Sequence, residues 1–209
     1  MQLTRKRIIT AAMDLIERDG VEAVSMRRIA TELGCGVMSL YNHVPSMSAL
    51  LDGVADAVMS GIEIPAAAAA GWQEQIRARA RAFRQTARAH PRCAMLVVSR
   101  PPSAGMIRLA EDALAALRGA GFGGQDAVRI VRAVSAYIMG SLLGEFGLAP
   151  GLAEADDAET QRPRLRPREF PHLTALAVEV SACDADADFE FGLDLLVRAA
   201  AAMPSARGT

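Results

Sequence analysis

Apolar residues recur at helical spacing along almost the whole chain, and Gly or Pro punctuates the pattern wherever it breaks. Ile8, Ala12 and Leu15, with Ile9 and Ile16 beside them, form one i, i+4, i+7 stripe. Ile76, Ala80, Phe83 and Ala87 form a second, extended to i+11. This rhythm points to an all-α fold. Cys93–Val98, bracketed by Pro91 and Pro101-Pro102, could be a strand by composition, but its helical surroundings favour a helix. With 209 residues, 51% of them hydrophobic, and a net charge of -1, the chain can bury a core in one or two domains and is not disordered. The longest apolar run, Val128–Leu143, is broken by Arg129, Arg132, Ser135 and Gly140, so no membrane span is expected. Ile8–Ile16 carries Thr10 and Asp14, unlike the apolar core of a signal peptide. Cys35, Cys93 and Cys183 are odd in number and far apart, which suits a reducing compartment and fits neither a disulfide framework nor a metal site. The chain reads as cytoplasmic.

The first 47 residues hold the densest set of local signals. Thr4 can cap a helix that ends at Gly20, and Ser25 can cap a second, Met26–Leu33, stopped by Gly34. Cys35-Gly36 makes a tight turn into a short third helix, Val37–His43, which Pro45 ends. Ser46 then caps a longer helix through Met59. Two short helices joined by a Gly-containing turn, after a longer first one, make a helix-turn-helix arrangement. Arg5, Lys6 and Arg7 occupy the first turn of helix one, and Arg27 and Arg28 that of helix two. Cations there oppose the helix dipole by about 0.3–1 kcal/mol each. A phosphate anion would reverse that penalty, since helix N-termini already favour anions. In the third helix Leu40 is expected to face the core. Ser39, Tyr41, Asn42 and His43 can hydrogen-bond to bases or phosphates, and Val37 and Met38 can lie against thymine methyls. The competing roles are half-buried packing for Tyr41 and a helix C-cap for His43.

In order and spacing, Thr4-Arg5, Ile8, Ala11-Ala12, Leu15-Ile16, Gly20, Ser25-Met26-Arg27-Arg28-Ile29-Ala30, Leu33-Gly34, Ser39-Leu40-Tyr41-Asn42-His43-Val44 and Ala49-Leu50-Leu51 resemble the DNA-binding domain of the TetR family of transcriptional regulators. The third-helix stretch looks like the tetracycline-repressor branch. Trp72-Gln73, Ala82-Phe83-Arg84, Ser99-Arg100-Pro101, Gly121-Phe122 and Phe191-Gly192-Leu193-Asp194 resemble that branch further on. The resemblance implies an all-α homodimer, each subunit placing its third helix in the major groove of one half of a palindromic DNA operator. It implies a helix-turn-helix domain over 1–47, a connecting fourth helix over 47–61, and a larger ligand-binding and dimerisation domain over 62–209. Arg27, Val37, Met38, Ser39, Tyr41, Asn42 and His43 then face DNA. Relatives often place a phosphate-gripping Lys at the start of helix four, where this chain has Met47 between Ser46 and Ser48.

For the larger domain the resemblance implies a small-molecule inducer pocket. A helix over Gln125–Phe146 is apolar on most sides and is expected to be central and buried. Beside it Phe83, Leu96, Ile107, Leu114 and Met139 offer an apolar lining, with Tyr137 and Ser99 to orient a ligand; the alternative is that these are simply core. Tetracycline is a poor fit. The branch's two magnesium-drug histidine positions are Glu63 and Leu96 here, a buried Asn position is Arg79, and only Phe83 persists. A different, metal-independent ligand class is expected. Leu173, Leu176, Ala177 and Val180 form one late stripe, and Phe189, Leu193, Leu196 and Val197 another, continued by Ala200. Helices over Glu169–Ser181 and Asp188–Met203 could pair two-fold as a dimerising four-helix bundle, unless one stripe covers the chain's own core.

Other patterns have plainer readings. Arg77, Arg81, Arg84 and Arg88 read as a solvated face, since Lys6 is the sole lysine and arginine the common cation. Ala149–Pro167 reads as a mobile loop, with Arg162–Arg168 neutralising Glu154–Glu159. Gly119-Ala120-Gly121-Phe122-Gly123-Gly124 matches a dinucleotide-binding string, but it follows a helix and not a strand. His43, His90 and His172 are scattered, and no catalytic set or cofactor is indicated. The expected function is therefore a ligand-responsive repressor. The rival is a helical small-molecule-binding protein with a vestigial DNA-binding head; an all-α enzyme ranks behind both.

Overall fold

The computed structural model describes residues 2–64, 71–148, 170–182 and 184–203. Ala66–Ala70, the 149–167 loop, the Arg162–Arg168 run and Cys183 lie outside the described residues, as does the side chain of Val180. Among the described residues there are α-helices, one 3-10 turn at Val21–Ala23, and no strand. The helices are α1 (Arg5–Asp19), α2 (Met26–Leu33), α3 (Val37–Tyr41), α4 (Met47–Ser60), α5 (Trp72–Ala89), α6 (Pro91–Ser99), α7 (Ala104–Gly119), α8 (Gly124–Glu145), α9 (Pro171–Ala175), α10 (Ala177–Ser181) and α11 (Ala185–Ala201). Residues 1–131 and 132–203 form two compact units, with α8 running from the first into the second.

The caps expected from sequence form. Thr4 Oγ1 accepts from the Arg7 N–H at 3.3 Å, Ser25 Oγ from Arg28 at 3.2 Å, and Ser46 Oγ from Ala49 at 3.1 Å. Gly34 ends α2 in the left-handed region, φ 64°, where a side chain would be strained. Ile8, Leu15 and Ile16 of α1, Ile29 of α2, Leu40 of α3, Val44, and Leu50 and Val54 of α4 are fully buried together. This core does not stop at the fourth helix: Cys93 and Leu96 of α6 belong to it. Pro91 fits at the start of α6 because its missing N–H would be unpaired there anyway.

α6 is tied to α1 by a reciprocal contact. The Glu17 carboxylate accepts the N–H groups of Arg92 at 3.3 Å and Cys93 at 2.8 Å, capping the α6 N-terminus. Arg92 Nη1 donates back to the carbonyls of Glu17 at 3.2 Å and Arg18 at 2.9 Å, at the α1 C-terminus. Each helix end thus supplies the charge the other's dipole favours. After α6, the Arg100 guanidinium pairs with Asp52 at 2.5 Å and donates to the Ser48 carbonyl at 3.1 Å, both on α4. α7 begins against α4 as well, with the Gly105 N–H on Asp56 Oδ1 at 3.1 Å.

Residues 132–203 hold a smaller assembly. Tyr137 of α8 stacks on Phe189 of α11, ring centroids 5.7 Å apart, and its hydroxyl donates to the carbonyls of Asp188 at 3.0 Å and Phe189 at 2.9 Å. Gly192 permits this approach, since a Cβ there would stand 2.3 Å from the tyrosine oxygen. Two sequence expectations fail here. The helix expected over Glu169–Ser181 breaks into α9 and α10 at Leu176, whose backbone leaves helical geometry. α8 is not buried all round: Ala127, Ile130, Val134, Ile138 and Leu142 form a buried stripe, while Ser135 and Ala136 are exposed. Among the described residues α8 is also the one helix long and apolar enough to cross a membrane, a test that a core helix passes equally.

Candidate nucleic-acid interface

α3 buries one side chain and displays the rest. Leu40 is fully buried, as expected. Met38 is 76% exposed and Tyr41 43% exposed; Ser39, Asn42 and His43 are exposed and Val37 half-buried. The helix ends at Tyr41, and Asn42 and His43 follow in a turn held by the His43 N–H on the Leu40 carbonyl at 2.9 Å. Arg5, Lys6 and Arg27 are exposed in the first turns of α1 and α2, and Lys6 and Arg27 have no ion pair among the described residues. Arg5 lies over Gly53 of α4, its Nη2 3.1 Å from where a Cβ would be. The helix-turn-helix unit therefore exposes hydrogen-bonding groups, one long apolar side chain and positive charge that has no ion pair among the described residues. Those are the elements of base reading and phosphate positioning.

Arg28 departs from its expected role as a phosphate contact. Its guanidinium pairs with Asp19 and donates to the Ala23 carbonyl at 3.4 Å. Asp19 in turn meets Arg18, which also pairs with Glu32. The side chain fastens α2 to the end of α1 because an acid lies within its reach, which the one-dimensional pattern did not reveal.

The expected ligand-lining residues differ in their surroundings. Leu96 packs into the helix-turn-helix core. Ser99 is exposed and donates to the carbonyls of Met95 and Leu96 in its own helix, and Ile107 is 60% exposed. Phe83 is buried and Leu114 half-buried. Tyr137 and Met139 belong to the other unit. Among the described residues, two cavities in residues 1–131 are lined by other side chains. One, of about 300 Å³, lies among α1, α4 and α5, lined by Met13, Val58, Glu63, Gln85, Thr86 and His90 among others. The larger, about 750 Å³, lies between α5 and α7, where Trp72, Gln75 and Arg79 face Asp112, Ala115 and Ala116. Trp72 is steadied by an edge-to-face contact with Phe122, centroids 5.0 Å apart.

Comparison with known proteins decides the family. Residues 8–54 match the model of bacterial regulatory proteins of the tetR family, and residues 64–203 match the tetracyclin repressor-like C-terminal domain. The chain belongs to the TetR family. It is 36% identical to an HTH-type transcriptional regulator of Saccharopolyspora erythraea, over 96% of this chain and 85% of that one. It is 32% identical to the transcriptional repressor DrrR1 of Streptomyces coeruleorubidus, over 93% of this chain and 76% of that one. Among solved structures, Streptomyces coelicolor ActR in complex with actinorhodin superposes with TM-score 0.83 at 30% identity, covering 97% of this chain and 98% of that one.

This TetR-family chain is thus a DNA-binding transcriptional regulator with an all-α fold. The α5–α7 cavity was missed in the sequence although a signal for it existed. Trp72, Gln75 and Arg79 recur at i, i+3, i+7 on α5, and Asp112, Ala115, Ala116 and Gly119 at matching spacing on α7. The stripe is polar and small, so no apolar periodicity marks it. The arginine face of α5 also differs from expectation, because Arg84 is buried at 7% exposure while Arg81 pairs with Glu74 at 3.1 Å.

Proposed function

We infer that this TetR-family regulator is a repressor that binds a palindromic operator as a homodimer in the cytoplasm and is released by a small molecule. The observations that carry this reading are the exposed side chains Met38, Ser39, Tyr41, Asn42 and His43 on and just after α3, together with the exposed cations Lys6 and Arg27, which have no ion pair among the described residues. Residues 1–47 act as the DNA-binding domain and 62–209 as the ligand-binding and dimerisation domain, with α4 between. Arg5, Lys6 and Arg27 hold phosphates, and Val37 through His43, Leu40 excepted, read bases.

For the dimer, Phe189 and Leu193 are replaced as contact residues, because both are buried in the chain's own packing. The outer side of α11 carries Phe191 and Leu195, 69% and 54% exposed, beside Ala136, Gly140 and Gly144 of α8. Small residues on one helix and large apolar ones on the other suit two-fold packing. Leu173 and Leu176 are exposed and can extend the same interface. For the inducer, the α5–α7 cavity is the candidate, and the ligand complexes of ActR support a small-molecule effector. Such an effector acts by binding the DNA-competent form less tightly than the released form.

The test is selection of genomic fragments by the purified protein. Enrichment of one palindromic sequence, bound by one dimer with steep salt dependence, is the expected result. Recovery of bulk genomic DNA without enrichment overturns the reading.

A further inference from the structure

Arg79 is the feature of the α5–α7 cavity with a donor left over among the described residues. Its Nη1 donates to the Gln75 carbonyl one helical turn back, at 2.8 Å, a bond any helical arginine can make with its own backbone. Its Nε is buried and has no acceptor among the described residues, and no carboxylate pairs with the guanidinium there. A buried guanidinium donor left unmade is costly, so an anion that meets the unbonded Nη2 and turns the fork toward itself recovers that free energy. The planar fork of arginine matches a carboxylate in two parallel hydrogen bonds.

The rest of the lining narrows the class. Trp72 is half-buried at the cavity, and Gly71, Ala115, Ala116, Gly119 and Ala120 add little side-chain bulk. An indole beside a low-relief wall suits a flat ring. The cavity's 750 Å³ falls in the range of about 300–1,000 Å³ that holds drug-sized ligands. Asp112 on the α7 side repels a second negative charge and can accept from a hydroxyl or amine. From this we propose that the cavity takes an aromatic monocarboxylate, its carboxylate on the Arg79 fork and its ring against Trp72. The regulatory meaning of this site rests on the inducer reading above; the ligand class does not.

The experiment is isothermal titration of the full chain with 2-naphthoate and with its neutral counterpart 2-naphthamide, repeated on Arg79→Gln and Arg79→Lys. Naphthoate is expected to bind saturably, about tenfold or more tighter than the amide, as one charge-assisted pair would give. Arg79→Gln is expected to bind acid and amide alike, and Arg79→Lys to keep part of the preference. Equal binding of acid and amide by the wild type, an acid preference that survives Arg79→Gln, or no naphthoate binding at millimolar concentration overturns the proposal. Addition of naphthoate to the operator complex separates the two readings. Arg79-dependent binding without DNA release upholds the site and refutes its inducer role. Release that Arg79→Gln leaves undiminished refutes the site and upholds the inducer role.

Discussion

Replacement of Gly105 by Ala will destabilise the protein although alanine is the better helix former. Gly105 sits in the first turn of α7. A Cβ there would lie 2.9 Å from the Met59 Cβ and 3.0 Å from both the Met59 carbonyl carbon and the Ser60 nitrogen. Two of those three atoms are backbone of α4 and cannot rotate away, so α7 must retreat. That retreat stretches the bond from the Gly105 N–H to Asp56 Oδ1. Overpacking of this kind costs about 1–3 kcal/mol. The gain in helix propensity from Gly to Ala, at most about 1 kcal/mol in a helix interior, offsets part of it. The net loss is then about 1–2 kcal/mol, or roughly 2–8 °C in Tm for a chain of this size. Thermal unfolding followed by circular dichroism, checked by the urea midpoint, measures it. An unchanged or raised Tm would mean that propensity outweighs contact and would refute the close seating of α7 on α4.

Other substitutions separate roles that the sequence left merged. Arg27→Ala and Lys6→Ala should each weaken operator binding and lower the salt slope by about one, whereas Arg28→Ala should chiefly lower stability, through loss of its tie to Asp19; equal salt slopes for all three would contradict this division. Gly140→Arg should yield folded monomers by sedimentation, since it places a charge on the α8 face proposed to pair; an intact dimer would move the interface elsewhere. Burial, and next the Glu17 carboxylate, push the Cys93 thiol up. Cys93 should therefore alkylate far more slowly than half-buried Cys35 in the native state at pH 8, as mass spectrometry of the labelled peptides would read, and comparable rates would contradict its burial. With a folded thiol pKa above the unfolded value of about 8.5, the contribution of Cys93 to stability is complete below that pH and is lost as pH rises past it.

Much of the fold was legible because caps and stops are local chemistry. Thr4, Ser25 and Ser46 each cap the helix their position foretold, and Gly34 takes the left-handed turn that ends α2. The exposed face of α3 was legible for a related reason: a helix of one and a half turns can bury little, and Leu40 is the residue it buries. What failed depended on partners distant in sequence. Periodicity shows that Phe189 and Leu193 share an apolar face but not which surface covers it. Composition places Arg28 and Arg84 among exposed cations, whereas Asp19 engages the first and burial takes the second. The Glu17–Arg92 exchange joins residues 75 apart and leaves no local trace. The cavity leaves little trace in the sequence because glycine and alanine, which create space, carry the same signal as helix formers and stops.

The central claim is that α3 reads sequence, and its most direct test is the ratio of specific to non-specific DNA affinity for Tyr41→Ala against wild type. Tyr41 is exposed on α3 and stands outside the buried core, so the variant should fold as the wild type does. Fluorescence anisotropy at fixed salt, with the selected operator and a scrambled duplex, gives both affinities. Operator affinity is predicted to fall by about 1–3 kcal/mol while affinity for the scrambled duplex stays constant, because base contacts specify and phosphate contacts remain. An unchanged ratio, or an equal loss on both duplexes, would contradict the assignment of α3 as the reading element.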